Sequence, residues 1–246
     1  MNIIITILLS VCTLLDMQPI TIWLCGDSTM SVKETKAYPE TGWGMPFAYF
    51  WDSSVTIKNL AKNGRSTKTF LSEKLWQQFC DGAKAGDYVF IQFGHNDESK
   101  DKKERYSTPD TFKMNLVKMI DDARARKVNI ILLTPVSRRK FDDVGNALQT
   151  HEAYSSYVRE IANQKQVNLI DLDEISRQLY QDLGKDNSKL LFLQLKPGEH
   201  PNYPDGKDDN THFNELGARK IAEIVLQEIR KTNSDLTKKI ITPTKK

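Results

Sequence analysis

Ile20-Thr21-Ile22-Trp23-Leu24-Cys25-Gly26-Asp27-Ser28-Thr29 is an apolar run of strand length that stops on a tight polar turn. Four more runs of this kind follow, at residues 55–60, 88–93, 128–134 and 167–172. All are rich in Ile, Val, Leu or aromatic residues, as in strands buried on both faces. The segments between most of them have helical periodicity. Residues 67–80 place Phe70, Leu71, Leu75, Trp76 and Phe79 on one helical face. Thr108 followed by Pro109 predicts an N-cap and a first helical residue, with Phe112, Leu116, Met119 and Ile120 as the apolar stripe. Residues 151–165 and 214–231 read as two further amphipathic helices. Alternating strands and helices predict an α/β fold: a three-layer α/β/α, flavodoxin-like domain around a five-stranded parallel sheet.

In open parallel sheets, ligands bind outside the carboxyl ends of the strands. The polar turns 26–29, 63–66 and 94–97 each follow one of the first three strand runs, so all three are expected on one edge. Any α/β fold collects such loops there, so their convergence only says where to look.

The residues at that edge have a chemistry. A serine hydroxyl is a poor nucleophile until a base removes its proton, and the base works better when a carboxylate fixes its tautomer. Ser28 lies on the first turn, and Asp209 precedes His212 by three residues near the far end of the chain. Gly64 lacks a side chain and can bring a backbone N–H close, Asn96 carries a side-chain amide, and the N–H of Ser28 makes a third donor for a developing oxyanion. Each residue has an ordinary alternative. Ser28 and Asn96 can be turn residues bonding their own backbone, Gly64 a tight turn, Asp209 a cap, and His212 a helix-start residue packed on the sheet. Their joint occurrence favours an acyl-transfer site.

Composition narrows the class further. The 246 residues favour one large domain, and the formal charge of +3 is scattered with no basic stripe, which argues against nucleic acid as a partner. Residues 3–15 are almost wholly apolar, too short for a bilayer span and of the length of a signal-peptide core. Residues 1–17 are therefore expected to be a leader directing export, with 18–231 the domain and 232–246 a polar, Lys-rich tail. No Lys or Arg precedes the apolar run, and no small-x-small cleavage site follows it. Cys12, after Leu9-Ser10-Val11, only faintly echoes a lipidation box. Cys25 and Cys80 permit one disulfide without demanding it. No Gly-x-Ser-x-Gly elbow or phosphate loop occurs, and Asp205, Asp208, Asp209 and His212 lack calcium-loop spacing, so neither a metal nor a cofactor is expected.

The four blocks Gly26-Asp27-Ser28, Asn63-Gly64-Arg65-Ser66, Gly94-His95-Asn96-Asp97 and Asp209-Asn210-Thr211-His212 resemble, in order and spacing, those of the GDSL or SGNH hydrolases. That resemblance implies Ser28 as nucleophile, Ser28, Gly64 and Asn96 as oxyanion donors, and His212 with Asp209 as base and orienter. Tyr38-Pro39-Glu40-Thr41-Gly42-Trp43-Gly44, Arg138-Arg139-Lys140-Phe141 and Thr150-His151 look like the rhamnogalacturonan acetylesterase branch of that superfamily. The likeness spans residues 20–231 and is least diagnostic over 196–207. It implies a serine esterase that removes O-acetyl groups from a pectic polysaccharide or oligosaccharide; no cofactor is needed for that chemistry, and a monomer is expected.

Aromatic faces suit sugar rings, so Trp43, with Tyr38 and Tyr203, is a candidate platform, although packing explains rim aromatics equally well. Arg65, Arg138 and Arg139 could meet galacturonate carboxylates through paired N–H donors, or be paired within the protein. Three rivals stand beside this reading. A superfamily esterase acting on acetylated xylan, a lipid or a thioester is distinguished by its substrate. A non-catalytic glycan binder has no need of all five site residues. A flavin or nucleotide binder leaves Asn96 and Asp209–His212 unexplained.

Overall fold

The computed structural model describes residues 19–232 and 234–241. The leader expected over 1–17, with Cys12, lies outside the described residues, as does the end of the Lys-rich tail. The strands are β1 (Ile20–Gly26), β2 (Val55–Asn59), β3 (Tyr88–Gln92), β4 (Asn129–Leu133), β5 (Asn168–Ile170), β6 (Phe192–Leu195) and β7 (Lys207–Phe213). The helices are α1 (Gly44–Phe47), α2 (Thr67–Ser72), α3 (Leu75–Gly82), α4 (Pro109–Ala125), α5 (Glu152–Lys165), α6 (Leu172–Asn187) and α7 (Glu215–Lys231).

Five strands form one parallel sheet in the order β2-β1-β3-β4-β5. Side chains of a strand point alternately to opposite faces, and this divides each central strand between two cores. Ile22 and Leu24 of β1, with Phe90 of β3 and Leu133 of β4, face the layer holding α1, α6 and α7. Trp23 and Cys25, with Val89, Ile91 and Leu132, face α2 to α5. The expected three-layer α/β/α fold is thus present. The chain leaves β1 for β2 on one side and later returns on the other as β3, so a crevice opens at the carboxyl ends of β1 and β3.

Several local expectations need correction. The single helix read over 67–80 is two, because Lys74 takes a left-handed conformation (φ 60°) between α2 and α3. The break lets Phe70 meet Phe93 at 5.1 Å while Phe79 meets Trp23 at 5.6 Å. Beyond the five strands expected, Asp209–His212 lie on a further strand, β7, which pairs antiparallel with β6. Of β7 only Phe213 is buried, so its sequence carries no alternating pattern by which a strand could be recognised.

The domain also runs past 231. Leu236 and Ile240 are buried, Trp51 pairs with Ile240, and the amide of Ile241 bonds Phe50 O at 2.8 Å. Two apolar side chains among the lysines are enough to dock this segment. Other details agree with the reading: Thr108 Oγ1 accepts the amide of Thr111 at 3.3 Å with Pro109 at the start of α4. Cys25 and Cys80 are both free thiols.

Candidate active site

Ser28 sits on a turn just beyond β1, closed by amides of Met30 and Ser31 that donate to Asp27 O at 3.3 and 3.1 Å. The Asp27 carboxylate lies beneath it and accepts the amide and hydroxyl of Thr29 at 2.9 and 2.8 Å. Burial pushes the Asp27 carboxyl up, against the pull of those Thr29 hydrogen bonds. Gln92, closing β3, donates to Thr29 Oγ1 at 2.6 Å and accepts from Trp43 Nε1 at 2.8 Å. On the other flank, Lys33 Nζ donates to Ser28 O at 2.6 Å and Asn63 Oδ1 at 2.7 Å, and pairs with Glu40 at 2.7 Å. One buried ammonium therefore ties the Ser28 turn to the Gly64 turn.

Trp43 is corrected by this arrangement. It is fully buried, edge-on to Phe47 at 5.3 Å, and its indole N–H ends in the Gln92 link under the Ser28 turn, so it is not a sugar platform. The stretch that leads through it into α1 lies directly against that turn: its amide bonds Thr29 O at 2.8 Å, and a Cβ on Gly42 would fall 2.0 Å from Ser31 O. Trp43→Ala is expected to cost about 3–5 kcal/mol of stability, measured by urea unfolding. A raised KM at unchanged stability would restore the platform role.

β7 brings His212 to Ser28 from outside the parallel sheet. His212 Nε2 lies 2.9 Å from Ser28 Oγ, and Nδ1 lies 2.8 Å from Asp209 Oδ2. Asp209 Oδ1 accepts the amides of Thr211 at 2.7 Å and His212 at 2.9 Å, so the carboxylate closes its own local turn. Burial alone would raise its pKa, but the His212 side chain and these two amides outweigh it and hold the carboxyl well below the usual range. An ionised Asp209 accepting from Nδ1–H leaves Nε2 free to take the serine proton.

Ser28, Gly64, Asn96 and His212 all line a cavity of about 300 Å³. Gly64 has φ +76°, a backbone state that favours glycine. The N–H groups of Ser28 and Gly64 find no protein acceptor among the described residues. Asn96 Nδ2 spends one hydrogen on Arg65 O at 2.9 Å, which orients the amide and leaves its second hydrogen for a ligand. Asp97 points elsewhere: it is buried, accepts the amide and hydroxyl of Thr67 at 3.0 and 2.5 Å, and is pushed by burial up to about 7.

The arginines separate by their partners. Arg65 does not face this cavity; it lines the adjoining cleft, where its Nε bonds Glu73 at 2.9 Å and its Nη1 bonds Asn63 O at 2.8 Å. Arg139 is spent on Ser188 Oγ at 2.9 Å, Asn210 Oδ1 at 2.6 Å and Lys185 O. Arg138 does reach the cavity, where its Nη1 donates to Thr211 Oγ1 at 2.8 Å and its Nη2 lies 3.7 Å from Glu98. Glu98 also meets Nδ1 of the buried His151 at 2.9 Å, and His151 packs 4.1 Å from the ring of His95. Burial foremost, then the neighbouring His151 and Arg138, holds His95 well below its usual pKa. Tyr38 and Tyr203 give their hydroxyls to Glu215 at 2.6 Å and to Ala37 O at 2.8 Å.

Sequence reasoning missed Lys33, Gln92 and Arg105. Gln92 lies close to a quoted block and Lys33 and Arg105 in the loops between blocks, and only a fold shows which turns they meet. Among the described residues no group of three His, Cys, Asp or Glu could hold a metal ion, and no helix is long and apolar enough to cross a membrane.

Residues 24–220, most of the chain, match the profile of the GDSL-like lipase/acylhydrolase family. The chain belongs to that family. It is a carboxylic ester hydrolase by this membership. The rhamnogalacturonan acetylesterase RhgT of Bacillus subtilis (strain 168) is 37% identical over 212 residues, covering 86% of this chain and 90% of that one. A probable rhamnogalacturonan acetylesterase of the same organism, YesY, is 33% identical over 221 residues, covering 89% of this chain and 97% of that one. Among solved structures, the Bacillus subtilis protein YXIM superposes with a TM-score of 0.76 at 24% identity over 88% of this chain, which spans 58% of that longer protein. A mutant of the acetylxylan esterase Axe2 from Geobacillus stearothermophilus gives 0.56 at 17% identity, covering 85% and 93% of the two chains. At these identities the two structures speak for the fold.

Proposed function

We propose that this enzyme removes O-acetyl groups from pectic rhamnogalacturonan or its fragments. The observation that carries the chemistry is the continuous link from Ser28 Oγ through His212 to Asp209, at 2.9 and 2.8 Å, opening on a cavity with free N–H donors. The substrate reading is supported by two relatives, matched over nearly their whole length, named as a rhamnogalacturonan acetylesterase and a probable one.

Ser28 Oγ attacks the acetyl carbonyl carbon as its proton passes to His212 Nε2. The carbonyl oxygen becomes an oxyanion, held by the N–H groups of Ser28 and Gly64 and the second amide hydrogen of Asn96. As the bond to the sugar oxygen breaks, His212 returns the proton to that oxygen and leaves an acetyl group on Ser28. A water gives its proton to the same histidine and attacks the acetyl carbon; as the bond to Ser28 Oγ breaks, His212 passes that proton to Oγ, and acetate leaves with Ser28 and His212 restored. Asp209 keeps its charge and holds the imidazole throughout. The apolar run 3–15 supports export to where a cell-wall polysaccharide is met, which fractionation of an expressing cell would check.

The substrate is tested by comparing acetate release from acetylated rhamnogalacturonan and acetylated xylan. Faster release from xylan would sink the pectic reading while leaving the esterase intact. Asn96→Ala removes one oxyanion donor and is expected to lower kcat by about a hundred- to a thousand-fold. An unchanged kcat would take Asn96 out of the oxyanion site.

A further inference from the structure

The charges lining the cavity pair off, with one exception. Glu40 is matched by Lys33, Glu98 stands beside Arg138, and Asp209 by His212. Arg105 lines the same cavity, and its guanidinium makes no hydrogen bond or ion pair with any described residue. Its Nε is buried with no acceptor. Its Nη1 would lie 3.3 Å from a Cβ placed on Gly64, so the free fork stands against the oxyanion turn. The backbone beneath it is fixed. The amides of Arg105 and Tyr106 both bond Lys102 O, at 3.0 and 2.9 Å, and Ser107 N bonds Asp97 O at 3.0 Å.

Arg105 is half-buried, and a guanidinium N–H taken out of water with no acceptor, as its Nε is, is unfavourable unless a ligand supplies one. Its planar fork matches a carboxylate through two parallel N–H···O bonds. We propose that Arg105 reads a uronate carboxylate on the sugar that carries, or neighbours, the acetyl ester. This rests on the pectic reading above, because galacturonate supplies that carboxylate. It makes Arg105 a specificity residue: it would favour acetyl esters of acidic glycans over those of neutral ones such as xylan. Arg65 and Arg139 are spent on protein acceptors, and Arg138 is already half engaged, so Arg105 is the group with two open donors facing the ligand.

The test compares wild type with Arg105→Gln on an acetylated galacturonate oligosaccharide and on the same oligosaccharide with its carboxyls methyl-esterified. Methyl esterification removes the charge and keeps the sugar. The wild-type preference in kcat/KM for the free acid should fall by about ten- to a hundred-fold in Arg105→Gln, with Arg105→Lys between the two. An equal loss on both substrates, as a purely structural or oxyanion role would give, overturns the proposal. Competition by free galacturonate against 4-nitrophenyl acetate gives a second readout that does not need acetylated pectin as substrate. Inhibition that is stronger than by galactose in wild type and weakened in Arg105→Gln supports the carboxylate site. Equal inhibition of both proteins overturns it. Should wild type release no acetate from either oligosaccharide, the pectic reading fails and this competition alone decides the role of Arg105.

Discussion

Ser28→Ala is expected to lower kcat for acetate release by about a million-fold, the size of loss seen when a serine nucleophile is removed from a hydrolase of this type. The alanine keeps the backbone N–H proposed to serve the oxyanion, so what disappears is the oxygen proposed to receive the acetyl group. Among the described residues Ser28 Oγ bonds only to His212, whereas the turn itself is held by Asp27, Thr29 and Lys33, none of which uses that hydroxyl. The variant should therefore unfold at the same urea concentration as the wild type. Measuring acetate in single-turnover and steady-state reactions checks the first part. Activity within tenfold of wild type, by the same order-of-magnitude standard, would remove Ser28 from the chemistry.

Asp209→Asn is expected to lower kcat by about ten-thousand-fold while leaving the cavity in shape. An asparagine oxygen can still accept from the amides of Thr211 and His212, but its NH2 then faces Nδ1. The imidazole is driven to the other tautomer, with a proton on Nε2 where Ser28 needs an acceptor. The same variant carries a stability signature. The Asp209 carboxyl is held well below its unfolded value, so in the wild type it binds fewer protons folded than unfolded as pH falls. Its contribution is complete above the usual carboxylate range and is lost as pH falls from that range down through the lower value of the folded state. Asp209→Asn should thus be less stable than wild type near neutrality, and the gap should close in acid. A gap that widened on acidification would contradict the ionised, His212-paired carboxylate.

The sheet was readable because burial on both faces forces long apolar runs, and Ile22 to Cys25 or Val89 to Ile91 have nothing else to do. The break at Lys74 was not readable, since residues 67–80 keep one helical stripe across it. The break is set by where Phe70 and Phe79 each find an aromatic partner, a matter of contacts distant in sequence. β7 was hidden for a different reason: a strand that carries catalytic-type polar residues on an exposed hairpin has no apolar alternation to show. Trp43 was misplaced because an indole beside a site motif looks the same in sequence whether it faces a ligand or holds Gln92 from below.

What the chain's own order of residues determined was the set of parts: a strand ending at Ser28, a glycine turn at Gly64, an amide at Asn96, and the Asp209–His212 pair. Those are local matters of residue type, turn chemistry and short spacing. Which cations are spent and which is free was decided only by the fold, because Arg65, Arg105, Arg138 and Arg139 are chemically identical until acceptors from other loops are brought to three of them. Packing delivered Glu73 to Arg65, Thr211 to Arg138 and Asn210 to Arg139, and among the described residues delivered none to Arg105. Charge pairing depends on distances between residues far apart in sequence, and so the specificity of the site, unlike its chemistry, is a property of the tertiary structure.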